Sequence, residues 1–175
     1  MNDPRYPIGR FESVGRTLSD AERAAHVDAI RKAPASLRAA VHGLNDEQLD
    51  TPYRDDGWTV RQVVHHVVDS HVNAYVRFKL TGSEEHPTIR TYEEKDWAEL
   101  GEAKSAPVEL SLTLLDALHA RWVAYLECLE PADFERTLHY PDIGDITADV
   151  LLELYAWHGR HHVAHVTSLR EREEW

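Results

Sequence analysis

His158 and His162 stand one helical turn apart in the run Trp157-His158-Gly159-Arg160-His161-His162-Val163-Ala164-His165. At about 100° per residue both fall near the centre of the apolar stripe formed by Leu151, Tyr155, Val166 and Leu169, so both rings point inward. Imidazoles at i and i+4 share a helix face, with Cβ atoms about 5–6 Å apart, close enough for both to bind one cation. His161 and His165 form a second such pair, rotated toward the edge of the stripe. A lone inward histidine is ordinarily a hydrogen-bonded core residue. Two on adjacent turns are costly to bury unless each ring nitrogen is satisfied, and a divalent cation satisfies one nitrogen of each. Taken alone, this helix leaves a metal pair and a pair of core histidines as its two readings.

A third ligand is needed, because two histidines without a further protein donor make a weak site. The candidates are His65, His66 and His71 in one segment and His119 in another. Periodicity favours His71, which projects with Val60, Val63, Val64, Val67, Ala74 and Phe78. His66 lies on a polar stripe with Gln62, Asp69, Ser70, Asn73 and Arg77, either a solvated face or the wall of a polar pocket. Asp69, three residues after His66, is a candidate to orient its ring or else a solvated carboxylate. His71 and His119 project inward, as acid–base groups or as core histidines. The last helix lacks the Glu of an H-E-x-x-H protease, and Asp69-Ser70-His71 is no triad, since neighbours on a helix point apart. Cys128 lies off its helix's apolar face with no histidine at useful spacing, and the five tryptophans read as core or interface anchors.

The elements that must position these residues are helices. Ser19 with Glu22, and Thr59 with Gln62, have capping-box spacing, opening helices over about 20–43 and 59–80. Pro34 inside the first predicts a kink or break. A third stripe spans Glu109–Leu129, and Thr147 is placed to cap the last helix. Residues 1–18 read as an extended arm, 45–58 as a loop, and 81–107 as a long crossover with a short helix over Glu93–Leu100. His139–Ile146 reads as a loop or small hairpin. Four amphipathic helices without a convincing pair of alternating strands predict an all-α four-helix bundle, with the crossover joining the second and third helices.

Composition narrows the function classes. A chain of 175 residues fits a single domain spanning 1–175. Nineteen Lys and Arg against 31 Asp and Glu give a net charge of −12, which repels nucleic-acid phosphates and anionic lipid. The longest run free of Asp, Glu, Lys and Arg is 161–169, far below the roughly 20 residues that span a bilayer. One cysteine excludes an internal disulfide and a Cys-rich zinc module, and no basic segment leads into an apolar run at the N-terminus, so a cytoplasmic setting is expected.

Several longer motifs, in order along nearly the whole chain, resemble the YfiT branch of the DinB-like family. They are Tyr6-Pro7-Ile8-Gly9, Leu49-Asp50-Thr51-Pro52-Tyr53-Arg54-Asp55, Gly57-Trp58-Thr59-Val60-Arg61-Gln62-Val63-Val64-His65-His66 and Asp69-Ser70-His71. Lys95 to Leu100, Leu118-His119 with Arg121-Trp122, and Trp157-His158 with His161-His162 and Ala164-His165 complete the set. The resemblance implies a four-helix bundle in which His66, His158 and His162 hold zinc or nickel. It replaces the periodicity choice of His71 by His66, the second histidine of the doublet. Three neutral imidazoles with no fourth protein donor make an open site, where a metal lowers the pKa of its water toward about 7 or binds a thiolate. The implied activity is a metal-dependent hydrolase acting on a small molecule, in a homodimer. Related DinB-like proteins are transferases using low-molecular-weight thiols such as bacillithiol, so a thiol S-transferase is the alternative. A non-catalytic metal-binding or stress-response protein is the second.

Overall fold

Side-chain caps set where the long helices begin. In the computed structural model, which describes residues 3–175, reciprocal capping boxes of Ser19 with Glu22 and of Thr59 with Gln62 open α1 (Asp20–Val41) and, after the one-turn α2 (Asp46–Leu49), α3 (Val60–Ser83). The crossover carries α4 (Glu94–Ala98) and α5 (Gly101–Ser105) and leads into α6 (Val108–Leu126). The short α7 (Pro131–Phe134) precedes strands β1 (Thr137–Tyr140) and β2 (Gly144–Thr147), after which Thr147 caps α8 (Ala148–Glu173).

The four long helices form a bundle. α1 and α3 each border both α6 and α8, so the two helices that open the bundle lie on a diagonal and are not a simple hairpin. α3 and α6 are neighbours that run the same way, from Val63 and Leu115 toward Phe78 and Trp122, so the 84–107 crossover must return the chain along the bundle between them.

Two local expectations need correction, and two hold. The supposed loop 45–58 contains α2, capped by Asn45 and Gln48. The short helix expected over Glu93–Leu100 is α4, and a second, α5, follows it outside that range. Of the loop or small hairpin expected over His139–Ile146, the structure has the hairpin, antiparallel with Leu138 opposite Ile146 and His139 opposite Asp145. Finally, α1 runs through Pro34 without interruption. Proline has no N–H to give to the carbonyl four residues earlier, but that carbonyl, on Ile30, instead accepts a hydrogen bond from His119 Nδ1 at 2.6 Å.

The core is divided. One apolar cluster gathers Ile30, Phe78, Trp122, Leu151 and Tyr155; the other gathers Leu37, Val63, Leu115, Val166 and Leu169. On each long helix the residue between the clusters is a histidine or Pro34: His71 on α3, His119 on α6, and His158 and His162 on α8. Gly159 allows α1 to approach this layer, since a Cβ there would lie 3.2 Å from the Ala33 side chain. The N-terminal arm runs against α8: Ser13 Oγ donates to Glu153 Oε2 at 2.6 Å and Leu18 N–H to Asp149 Oδ2 at 3.0 Å. Asp149 also takes a two-pronged ion pair from Arg23 of α1, both contacts 2.8 Å, with both side chains buried.

Candidate metal centre

The doublet on α3 splits between two faces. His65 turns toward α6, where Ser111 Oγ lies 2.7 Å from its Nδ1 and its Nε2–H donates to the Ala106 carbonyl at 3.1 Å. His66 turns toward α8, with its ring 4.8 Å from that of His162 and 5.4 Å from that of His158. One ring nitrogen from each of His66, His158 and His162 lies within 4.8 Å of the other two. A tetrahedral ion with bonds of about 2.0–2.1 Å holds ligands about 3.4 Å apart, a spacing of the same order as this arrangement. Three imidazoles fit zinc or nickel in donor type as well.

The sequence's other candidates fall around this trio. His71 is fully buried behind His158, its Nε2 3.1 Å from His158 Nδ1, and its Nδ1 is 2.7 Å from His119 Nε2. It therefore stands one ring away from the place periodicity gave it. The polar stripe of His66 is not a solvated face: Gln62, Ser70 and Arg77 are buried, with Gln62 Nε2 donating to the Ala98 carbonyl at 2.7 Å and Arg77 to the Tyr155 hydroxyl at 2.6 Å. Asp69 is half-buried and its carboxylate makes no hydrogen bond to any histidine among the described residues. Burial, reinforced by Glu102, pushes its pKa up to about 6. Cys128 is exposed, as expected of an incidental residue.

His161 and His165, at the edge of the stripe, are both buried. His161 stacks on Trp157 at 4.2 Å and His165 on Tyr53 at 4.1 Å. His165 Nδ1 is 3.3 Å from His162 Nδ1, and its Nε2–H donates to the Arg5 carbonyl at 3.2 Å. With His162 they form a second group of three whose ligand atoms lie within 4.8 Å.

Burial keeps the whole cluster uncharged. Removal from water holds His158, His162 and His71 well below the ordinary histidine value, and neighbouring rings add to the effect. His66 is lowered to about 4, first by burial and then by His165 and His161; His119 is lowered to about 4 by burial against the opposing pull of the Ile30 carbonyl. A neutral imidazole is the form that binds a metal.

A cavity of about 610 Å³ reaches the cluster, lined by His161, His162 and His165 and walled by Tyr6, Tyr53, Arg54 and Trp58. Its volume suits a small molecule. Trp58 packs on the His66 ring at 4.6 Å. Among these wall residues the arm and the loop contribute most, and no period marks such positions in a sequence; only the motif runs 6–9, 49–55 and 57–66 pointed there.

Comparison with known proteins agrees with the four-helix bundle and links it to relatives named for metal dependence. A protein of Bacillus mycoides (strain KBAB4) named "Putative metal-dependent hydrolase" is 54% identical over 175 residues, covering all of both chains. One of Bacillus cereus (strain B4264), with the same descriptive name, is 52% identical over the same span. Among solved structures, YfiT from Bacillus subtilis, described as "a probable metal-dependent hydrolase with an unusual four-helix bundle topology", superposes with a TM-score of 0.95 at 47% identity and covers 98% of each chain. The four-helix bundle protein TT2238 superposes with a TM-score of 0.55 at 22% identity, covering 82% of this chain and 94% of its own, and speaks to the fold alone. The DinB superfamily signature matches residues 29–166, four-fifths of the sequence and every long helix, and the chain belongs to that superfamily.

Proposed function

We propose that this protein is a metal-dependent hydrolase in which His66, His158 and His162 hold one divalent ion, zinc or nickel. The observation that carries the reading is the convergence of three neutral imidazoles from α3 and α8, His66 and His162 buried and His158 half-buried, each with a ring nitrogen within 4.8 Å of the others. The relatives' names favour the same chemistry. An ion held by three protein ligands keeps open positions and supplies the Lewis acidity that makes water a nucleophile near neutral pH. The chain's own part is to keep the three rings unprotonated by burial, to shield His66 with Trp58, and to admit a small-molecule substrate past Tyr53 and Arg54. The reading places the protein in the cytoplasm as a homodimer. Among the described residues no helix is long and apolar enough to cross a membrane.

The test is turnover of a panel of aryl esters and amides by protein loaded with zinc or nickel, with and without a chelator, and with and without a low-molecular-weight thiol. Metal-dependent turnover in water alone is expected. Turnover that requires the thiol would replace the hydrolase by an S-transferase using the same site. Stoichiometric metal with no turnover under any condition would leave a non-catalytic metal-binding protein.

A further inference from the structure

A backbone carbonyl can only accept a hydrogen bond, so a histidine nitrogen bonded to one must carry the proton. The Ile30 carbonyl, left without a helix partner by Pro34, lies 2.6 Å from His119 Nδ1. His119 is therefore Nδ1–H, and its neutral ring presents a lone pair at Nε2. His71 Nδ1, 2.7 Å away, must then be the donor, which leaves a lone pair on His71 Nε2. His158 Nδ1, 3.1 Å from that atom, must in turn be the donor. The polarity set at Ile30 thus passes through two rings and ends with an unprotonated Nε2 on His158.

The same logic runs from the opposite side. The Arg5 carbonyl lies 3.2 Å from His165 Nε2, which therefore carries the proton and leaves Nδ1 as an acceptor. His162 Nδ1, 3.3 Å from it, is the donor, and the lone pair of His162 is at Nε2. Two relays of different length, anchored on different elements, impose one tautomer on two rings a helical turn apart.

We infer that His119, His71 and His165 are positioning residues for the metal centre: their carbonyl-anchored relays hold His158 and His162 as Nδ1–H tautomers with Nε2 unprotonated, that of His158 facing the Ser70 hydroxyl at 3.4 Å. This rests on the metal reading given above. Without the relays, either ring is free to take the Nε2–H tautomer that blocks that lone pair, and to rotate away from the shared centre.

The test replaces His119 in two ways. His119→Leu removes both hydrogen bonds from the relay. His119→Gln keeps its polarity, because the amide N–H donates to the Ile30 carbonyl while the amide oxygen accepts from His71. Zinc affinity, read by competition with a chromogenic chelator, is expected to weaken about 10–100-fold in His119→Leu and to return to within about threefold of the parent in His119→Gln. Ring-nitrogen NMR of the metal-free parent protein is expected to show Nδ1–H at His71, His119, His158 and His162. An Nε2–H tautomer at His158 or His71, or zinc affinity unchanged in His119→Leu, would overturn the inference. Should His119→Leu not fold, the parent's tautomers decide alone. His66→Ala in the same titration separates the two claims: zinc bound undiminished there sinks the metal reading, whereas the tautomers are read without metal.

Discussion

His65 and His66 are adjacent in sequence and opposite in role, one tying α3 to the start of α6 and the other joining His158 and His162. The α8 pair was legible because an inward stripe with period 3.6 selects both rings. The α3 partner was not, because periodicity selects the residue deepest in the core. His71 is that residue, and its depth puts it behind His158; His66 sits on the flank, where α3 meets α8 under Trp58. Only the resemblance carried by the longer motifs pointed to His66. For Asp69 spacing left two readings, a partner of His66 or a carboxylate with no such role, and its carboxylate bonds to no histidine among the described residues. Asp69→Asn is accordingly expected to leave zinc affinity within about twofold, where loss of an orienting carboxylate would cost about 10–100-fold. Its pKa is raised to about 6, so the folded state loses stability as pH climbs through that value and the carboxylate ionises. The Asn variant should therefore be more stable than the parent at pH 7 in urea titrations, and a less stable variant would show that the carboxylate has a partner.

Helices declared themselves through their caps. The Ser19, Thr59 and Thr147 starts were all readable, as was the last helix's inward face. The one-turn α2 and the hairpin were less so, because four residues carry too little periodicity to separate them from loop. Pro34 was misread for a different reason: the residue that takes the freed carbonyl, His119, lies on another helix and is invisible locally. What ties α1 to α8 was equally nonlocal. Arg23 and Asp149 are distant in sequence, yet both are buried and joined by two 2.8 Å contacts, with Leu18 N–H as a third donor to the carboxylate. Asp149→Ala leaves the guanidinium buried without its partner and is expected to cost about 3–5 kcal/mol in chemical denaturation. A loss below about 1 kcal/mol would mean that water replaces the carboxylate easily and that the pair does little to fasten the arm and α1 to α8.

The molecule as a whole consists of two apolar clusters with a layer of neutral histidines between them, in a chain whose net charge is −12. Such a layer makes the metal-free fold acid-sensitive. His119 and His66 titrate at about 4 when folded but near 6.5 in the unfolded chain, so the unfolded state binds protons first as pH falls. The stability these rings contribute is fully present above pH ~6.5 and is lost as pH drops toward about 4, at about 1.4 kcal/mol per pH unit for each ring. Urea titrations of the metal-free protein between pH 7 and pH 5 should show that decline; flat stability over the range would mean that the rings are not held neutral by burial. Metal bound to the folded state alone opposes the same loss, since it adds stability in proportion to the logarithm of its concentration. The most direct test of the central claim is metal content per chain by plasma mass spectrometry, on untagged protein reconstituted with zinc or nickel, beside His66→Ala, His158→Ala and His71→Ala. The account predicts one ion per chain in the parent, near-complete loss in His66→Ala and His158→Ala, and retention with weakened affinity in His71→Ala. No stoichiometric metal in the parent, or full retention in His66→Ala, would contradict it.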